Sequence, residues 1–230
     1  MVMRFSSQDH ARVAQAIASA EASTSGEIFC VFARQVSSYR DIALGWAAGA
    51  ALILPLVVIP LGFEPGWLPG MAGGWEAGHL AARDVTVGTA LAGYALLQAA
   101  VFVAALALTS IPAVRRWITP RSVRRTRVRR AALQQFLAHG VHVTEARTGV
   151  MIFAALADHQ VEVIADEGIH SRVDSDVWAQ AAAALATAMK QGNPVQGFEQ
   201  AIALCGAVLT EHFPPGSDDT NEVADKLVEI

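Results

Sequence analysis

The fold is decided by residues 42–63, IALGWAAGAALILPLVVIPLGF, and by residues 85–114, VTVGTALAGYALLQAAVFVAALALTSIPAV. Neither stretch contains Asp, Glu, Lys or Arg. An α-helix rises about 1.5 Å per residue, so a hydrocarbon core about 30 Å thick needs roughly 20 apolar residues. Both stretches reach that length, and a buried helix of a soluble protein rarely runs so far without a charge. The sequence therefore predicts a transmembrane helical hairpin over residues 42–114.

The composition of the 230-residue chain fits one ordinary domain plus a membrane segment. Charged residues make up 17% of the chain, below the roughly 25% of soluble domains. The two cysteines, Cys30 and Cys205, lie far apart in apolar surroundings, which predicts buried free thiols in a reducing compartment rather than a disulfide framework.

Positive charge is concentrated directly after the second apolar stretch. Eight of the 17 basic residues lie there: Arg115, Arg116, Arg121, Arg124, Arg125, Arg127, Arg129 and Arg130. The loop between the stretches carries Glu64, Glu76 and Asp84 against Arg83 alone. Because basic loops stay in the cytoplasm, the sequence predicts a bacterial inner-membrane protein with two spans and both termini cytoplasmic.

The basic juxtamembrane segment, residues 115–130, has two interpretations. A dense basic run can neutralise nucleic-acid phosphates. Residues 131–230, however, hold four basic residues against 14 acidic ones, which repels phosphate. Beside a span, each basic residue gains roughly 1 kcal/mol from anionic lipid. We therefore expect a bilayer with anionic headgroups as the partner, and no nucleic acid. The predicted headgroup contacts are Arg115, Arg116, Arg121, Arg124 and Arg125.

The spans have the composition of anchors. Gly45 and Gly49 form a GxxxG pattern that could pack the hairpin or a dimer, and Pro55 and Pro60 are predicted to kink the first span. Transporters and channels usually need ionisable side chains at mid-membrane, and neither span has one. Transport is therefore a distant third hypothesis for this chain.

The segments outside the spans have the pattern of an α/β domain. Ser6 and Asp9 have capping-box spacing at the start of a helix over residues 6–24. Asn193 and Pro194 suit the start of the last helix. Two further helices and three apolar strands are predicted at residues 122–138, 174–191, 27–33, 149–156 and 161–165. Residues 217–230 read as an acidic tail with at most two helical turns.

A strand buried on both faces needs neighbouring strands and helices on each side. Residues 5–34 alone supply one helix and one such strand, too little to fold. The prediction is therefore one discontinuous domain, residues 5–34 plus 122–213, with the membrane hairpin inserted between its parts. Its fold class is an α/β/α three-layer sandwich with a short, mostly buried sheet.

Three motifs together resemble the TPM domain family: Gly26-Glu27-Ile28 at the first strand, the run Arg147–Phe153 (RTGVMIF) and the run Val161–Ile169 (VEVIADEGI). The family includes thylakoid-lumen proteins linked to photosystem repair and many bacterial membrane proteins. The resemblance implies an α/β/α sandwich, acid phosphatase activity in some members, and divalent-metal binding through acidic residues. This chain departs from the family in two respects: spans interrupt the domain, and Arg34-Gln35 replace the acidic residues that often follow the first strand.

The candidate site is a polar cluster at the predicted strand ends. Its members are Glu27, Glu145, Arg147, Thr148, Asp166, Glu167 and His170. Asp166 and Glu167, with a histidine near by, could hold a divalent metal, the only cofactor the resemblance implies. The alternative is a solvated turn whose acids cap helices and pair with Arg147, since no named metal motif is present.

Two functions are compatible with these residues. No GxSxG, P-loop, HExxH or phosphatase nucleophile motif of the C-x5-R or DxDx[TV] type occurs in the sequence. The first hypothesis is therefore a membrane-anchored, cytoplasmic, non-catalytic module that binds a membrane-protein partner in assembly, repair or quality control. The alternative is a weak metal-dependent phosphatase.

Overall fold

The computed structural model describes residues 5–58, 61, 84–144, 146–170, 172–173, 175–216 and 220–230. The chain divides into two compact units. The first unit combines the N-terminal residues up to Ser37 with Arg121–Ile230, and the second comprises Ser38–Pro120.

The described residues form eight helices and four strands. The helices are α1 (Ser7–Glu21), α2 (Arg40–Val58), α3 (Asp84–Ser110), α4 (Pro112–Ile118), α5 (Arg121–Ala138), α6 (Glu167–His170), α7 (Ser175–Lys190) and α8 (Pro194–His212). The strands are β1 (Glu27–Ala33), β2 (Gly149–Ala155), β3 (Gln160–Ala165) and β4 (Leu227–Glu229).

The first unit contains one four-stranded mixed sheet in the order β3-β2-β1-β4. β1 pairs in parallel with both β2 and β4, and β2 pairs antiparallel with β3. The predicted hairpin between residues 149–156 and 161–165 is confirmed as the β2–β3 pair. Since β1 and β2 are separated by more than a hundred residues of sequence, their pairing makes one domain from both ends of the chain.

Both faces of β1 are buried, as its uninterrupted apolar sequence predicts. Ile28, Cys30 and Phe32 belong to a core shared with α1, α7 and α8. Phe29 and Val31 belong to a second core shared with Val128, Ala132 and Phe136 of α5. The sheet thus has α1, α7 and α8 on one face and α5 on the other, which is the predicted α/β/α layering.

Local signals set several element ends correctly. The Asp9 N–H donates to Ser6 Oγ at 3.2 Å and the Ser6 N–H donates to Asp9 Oδ2 at 2.8 Å, which completes the predicted capping box of α1. Pro194 is the first residue of α8, as predicted. Asn193 occupies the N-cap position, but it has φ −115° and ψ 59° and its side chain bonds no helix N–H.

The acidic tail differs most from expectation. Residues 220–230 form no helical turn; instead, Leu227–Glu229 form the strand β4, which pairs with Cys30, Val31 and Phe32 of β1. The prediction that places residues 217–230 outside the domain is therefore wrong for this strand. Three residues are too few to show strand periodicity, and the partner lies nearly 200 positions earlier in the sequence.

The second unit contains α2, α3 and α4. Ala43, Ala47, Ala51 and Pro55 are the buried side chains of α2, spaced four residues apart on one face. A Cβ added at Gly45 or Gly49 would meet no atom within 4 Å, so the GxxxG pattern does not pack these helices together. Pro55 lies inside α2, whereas Pro60 is outside the described residues.

Two helical segments of this unit are long and apolar enough to cross a membrane, Arg40–Val58 and Leu91–Ser110, with mean hydropathies of 1.9 and 2.1. Their buried fractions are 22% and 6%, well below what a core helix of a soluble protein would have. The second predicted span is interrupted at Ile111, which separates α3 from α4.

Candidate functional site

Strand register brings most of the predicted polar cluster to one end of the sheet, where β1 and β2 begin and β3 ends. Glu27 lies opposite Gly149 and Val150 lies opposite Ala165, so the starts of β1 and β2 adjoin the end of β3. This end of the sheet carries five members of the cluster: Glu27, Arg147, Thr148, Asp166 and Glu167. Glu145 lies outside the described residues, and so does the side chain of His170.

The polar groups at this end of the sheet connect the segments before β1 and β2 with the segment after β3. Glu27 donates its N–H to the Thr148 carbonyl at 3.2 Å, and the Thr148 hydroxyl donates to the Ser25 carbonyl at 2.9 Å. Asp166 donates its N–H to the Gly149 carbonyl at 2.9 Å. Thr148 is therefore fully used in joining the turns before β1 and β2, and its buried side chain is structural.

The Glu27 carboxylate points toward the segment before β4. It accepts the N–H groups of Glu222 at 3.2 Å and Val223 at 3.3 Å. Burial raises the pKa of this carboxyl group, and the two N–H donors partly offset the effect. Glu27 therefore connects the start of β1 to the C-terminal segment.

Glu21 is a functional candidate that the sequence analysis missed. Burial raises the pKa of its carboxyl group to about 9, opposed by the Ile28 N–H, which donates to Oε1 at 2.6 Å, and reinforced by the charges of Glu27 and Asp225. One sequence signal was available: Glu21 is the last residue of α1, where the helix dipole disfavours a negative charge. The result is a carboxyl group that stays protonated at neutral pH beside a second buried one.

Asp166 and Glu167, the predicted metal ligands, lie in different environments. Asp166 is 7% exposed, and its Oδ1 accepts the Glu167 N–H at 2.7 Å at the start of α6. The Glu167 side chain is 83% exposed and forms a 3.0 Å ion pair with Arg147. A pair so divided does not fit a divalent-metal site, and the described residues include no group of three His, Cys, Asp or Glu placed to hold a metal ion.

The turn that carries Arg147 is tightly packed. Arg147 has φ 52°, a left-handed conformation that few non-glycine residues adopt. A Cβ at Gly168 would lie 2.6 Å from the Arg147 carbonyl oxygen, and one at Gly149 would lie 2.1 Å from the Val141 carbonyl oxygen. The conformation of Arg147 is thus set by close backbone contacts on both sides of the turn.

A second polar group lies at the opposite end of the sheet, where β1 and β4 have their carboxyl ends. Glu229 contacts His10 Nε2 at 3.1 Å and Arg34 at 3.0 Å. Burial alone would raise the pKa of Glu229, but the hydrogen bonds from Arg34 and His10 lower it below its ordinary value. Ligands of α/β sheets usually bind at carboxyl ends. Here the carboxyl ends carry Glu229 and its partners His10 and Arg34, which join α1, β1 and β4.

Comparison with known proteins agrees with the resemblance that the sequence motifs indicate. The family model described as "TPM domain" matches residues 116–208. The resemblance to the TPM domain family is thus confirmed over these residues. No curated protein matches the chain. Among solved structures, the NMR structure of the BA42 protein from the psychrophilic bacterium Bizionia argentinensis is similar, with a TM-score of 0.56 and 17% identity. The alignment covers 100% of this chain and 99% of that one, and at this identity it supports the fold alone.

The matched range covers only part of the first unit. It includes α5, β2, β3, α7 and most of α8. α1, β1 and β4 lie outside it, although β1 is a central strand of the same sheet. Residues 5–34 lie outside the matched range, but they belong to the same compact unit and the same sheet.

Proposed function

We propose that this protein is a membrane-anchored TPM module that binds a partner protein at the cytoplasmic face of the inner membrane. The observation that carries the proposal is the apolar exterior of α2 and α3. Leu52, Ile53 and Leu56 of α2 are 59%, 60% and 64% exposed, and Leu91 and Val103 of α3 are each 63% exposed. Contiguous apolar surface on this scale normally lies against lipid or another protein.

The orientation follows from charge. The basic segment 115–130 begins within α4, five residues after the end of α3, and basic residues near a span remain on the cytoplasmic side. Arg116 and Arg121 are exposed, as contact with anionic headgroups would require. Trp117, which is 87% exposed, suits the interface between headgroups and hydrocarbon.

Binding rather than catalysis is supported by the occupation of the predicted site. Glu27 accepts two backbone N–H groups, Asp166 accepts one at the start of α6, and Glu167 pairs with Arg147. These are the roles of carboxylates that cap and connect segments. The alternative, a weak metal-dependent phosphatase, is favoured by one observation: the buried Oδ2 of Asp166 has no hydrogen-bond partner among the described residues.

Cell fractionation and tag accessibility test the anchor and its orientation. We expect the full chain in the membrane fraction after alkaline carbonate extraction, with tags at either terminus protected from protease in intact spheroplasts. Replacing Arg115, Arg116, Arg121, Arg124 and Arg125 by Gln should invert part of the population. Arg147→Gln with Arg172→Gln, which removes charge from the domain, is the control and should not. A soluble chain or an accessible tag in the unaltered protein would refute the proposal.

Hydrolysis of a phosphomonoester by the purified full chain, with and without divalent metal, distinguishes the two functions. The binding module predicts no turnover above that of the Asp166→Asn variant. Metal-dependent turnover that disappears in Asp166→Asn and persists in Glu211→Gln, an exposed carboxylate elsewhere on the domain, would establish the phosphatase instead.

A further inference from the structure

The sheet of the TPM domain has an open edge at β3. β3 is the terminal strand in the order β3-β2-β1-β4. Asp166 donates its N–H to the carbonyl of Gly149, its partner in the antiparallel register. Because bonded and non-bonded pairs alternate in such a ladder, the backbone groups of Val161, Val163 and Ala165 point away from β2. These groups are a template for another strand.

A groove of about 590 Å³ follows this edge. Arg125 and Arg129 of α5 form one wall, and Trp178, Ala179 and Ala182 of α7 form the other. Proteins usually protect an open edge by covering it or by twisting it away. Here the two helices stand on opposite sides of β3, and the small alanine side chains leave space beside the strand.

The groove contains buried polar atoms that lack partners. Trp178 is 7% exposed, and its Nε1–H meets no acceptor in the described part of the chain. Oε1 of Gln160, at the start of β3, likewise accepts no hydrogen bond from any described residue. Leaving such groups unsatisfied is costly, and native structures seldom do so. Both residues line the groove.

The charge of the groove selects its occupant. Arg129 lies 3.6 Å from Glu162, which compensates one positive charge. Arg125 is exposed and has no ion pair with any residue that the structure describes, so the groove keeps a net positive wall. An occupant with acidic side chains on the α5 side and small or apolar ones on the α7 side complements both walls.

We propose that an acidic segment of a partner protein binds in extended conformation beside β3, as a fifth strand between α5 and α7. The inference rests on the proposed function, because it specifies where the binding module holds its partner and what chemistry that partner has. Since strands rise about 3.4 Å per residue, the six residues of β3 accommodate roughly six residues of the partner over about 20 Å. Main-chain bonds supply affinity, and alternate side chains supply specificity.

Fluorescence anisotropy tests the proposal with the full chain in nanodiscs of uncharged lipid at low ionic strength. The probe is a labelled peptide of alternating Glu and Val, about eight residues long, so that it extends one residue beyond each end of β3. Its matched control is the peptide of alternating Lys and Val. We expect the acidic peptide to bind at least about tenfold more tightly, because Arg125 and Arg129 attract one peptide and repel the other. Equal binding of the two peptides would overturn the proposal.

Two substitutions locate the binding site. Ala179→Gln places a longer side chain in the groove and should weaken acidic-peptide binding about tenfold or more, whereas Ala183→Gln, exposed one turn further along α7, should not. Arg125→Glu should weaken binding about tenfold, whereas Arg130→Glu, an exposed arginine of α5 outside the groove, should change it little. Ala179→Gln binding like the unaltered protein would exclude this groove.

Two other outcomes separate this inference from its alternatives. A dimer in sedimentation that Ala179→Gln converts to a monomer would assign the edge to a second copy of the chain and overturn the acidic-partner proposal. A chain that remains in the membrane fraction but binds neither peptide would overturn the docking inference alone. Loss from the membrane fraction would instead overturn the proposed anchor.

Discussion

Glu21→Gln is the substitution for which the structure makes its sharpest prediction. Burial raises the pKa of Glu21 to about 9, against an ordinary value of 4.5. The glutamine carbonyl can still accept the Ile28 N–H, which lies 2.6 Å from Glu21 Oε1, so the substitution removes the titration and retains the contact. The pH dependence of folding should therefore change while the native structure does not.

The sign and size follow from linkage. The unfolded chain releases this proton near pH 4.5, whereas the folded chain holds it until about pH 9, so the folded state binds more protons in between. The free energy of unfolding must then fall as pH rises through this window, by at most about 1.4 kcal/mol per pH unit. Between about pH 5.5 and about pH 8.5, the largest decrease in the free energy of unfolding that this group can cause is about 4 kcal/mol. Screening of a half-buried carboxyl group reduces this to about 2 kcal/mol.

Thiol labelling provides the assay, because the chain has two cysteines and both are buried in the first unit. Urea titration of the full chain in mild detergent, followed by dithiodipyridine labelling of Cys30 and Cys205, reports unfolding of this unit and not of α2 or α3. The unaltered protein should lose stability as pH rises, and Glu21→Gln should lose about 2 kcal/mol less over the same interval.

Glu211→Gln, an exposed carboxylate of α8, is the matched control and should follow the unaltered protein. The pKa of Glu27 is also raised by burial, so this residue contributes a slope of the same sign to every variant. Parallel stability curves for Glu21→Gln and the unaltered protein, or stability that rises with pH in the unaltered protein, would refute the reasoning.

Two further predictions concern the turn before β2 and the C-terminal strand. Gly149→Ala should cost more than about 3 kcal/mol in the same urea titration, because its Cβ would lie 2.1 Å from the Val141 carbonyl oxygen. Gly216→Ala, where a Cβ meets nothing within 4 Å, should shift the free energy of unfolding by less than about 0.5 kcal/mol, and equal effects would contradict the packing of this turn. Ending the chain at residue 219 removes β4 and the donors to Glu27, so Cys30 should become labelled without urea. A Cys30 thiol that stays protected would mean that β4 does not close the sheet.

The candidate site was only partly accessible to sequence reasoning. Turn and strand signals correctly placed Glu27, Thr148 and Asp166 at element ends. The β1–β2 register brings these residues to the same end of the sheet. The direction in which each carboxylate points depends on contacts that no local pattern encodes. Glu27 accepts a hydrogen bond from the backbone N–H of Glu222, which is 195 positions away. Glu229 contacts His10 and Arg34 at the opposite end of the sheet.

The sequence by itself determined the features that arise within a few turns of chain. Unbroken apolar runs specify the two long helices and the buried strand β1, and spacing of Ser6 and Asp9 specifies the start of α1. These are local consequences of hydrogen bonding and of the transfer of side chains from water.

Only the tertiary structure decided which edges of the sheet are occupied. A strand of three residues such as β4 has no stability of its own and forms because β1 offers it a paired backbone. β3, although twice as long, has a neighbour on one side alone because the described chain supplies no other strand at that edge. Backbone pairing between distant segments depends on where the rest of the fold places them, and side-chain periodicity along one segment does not contain that information.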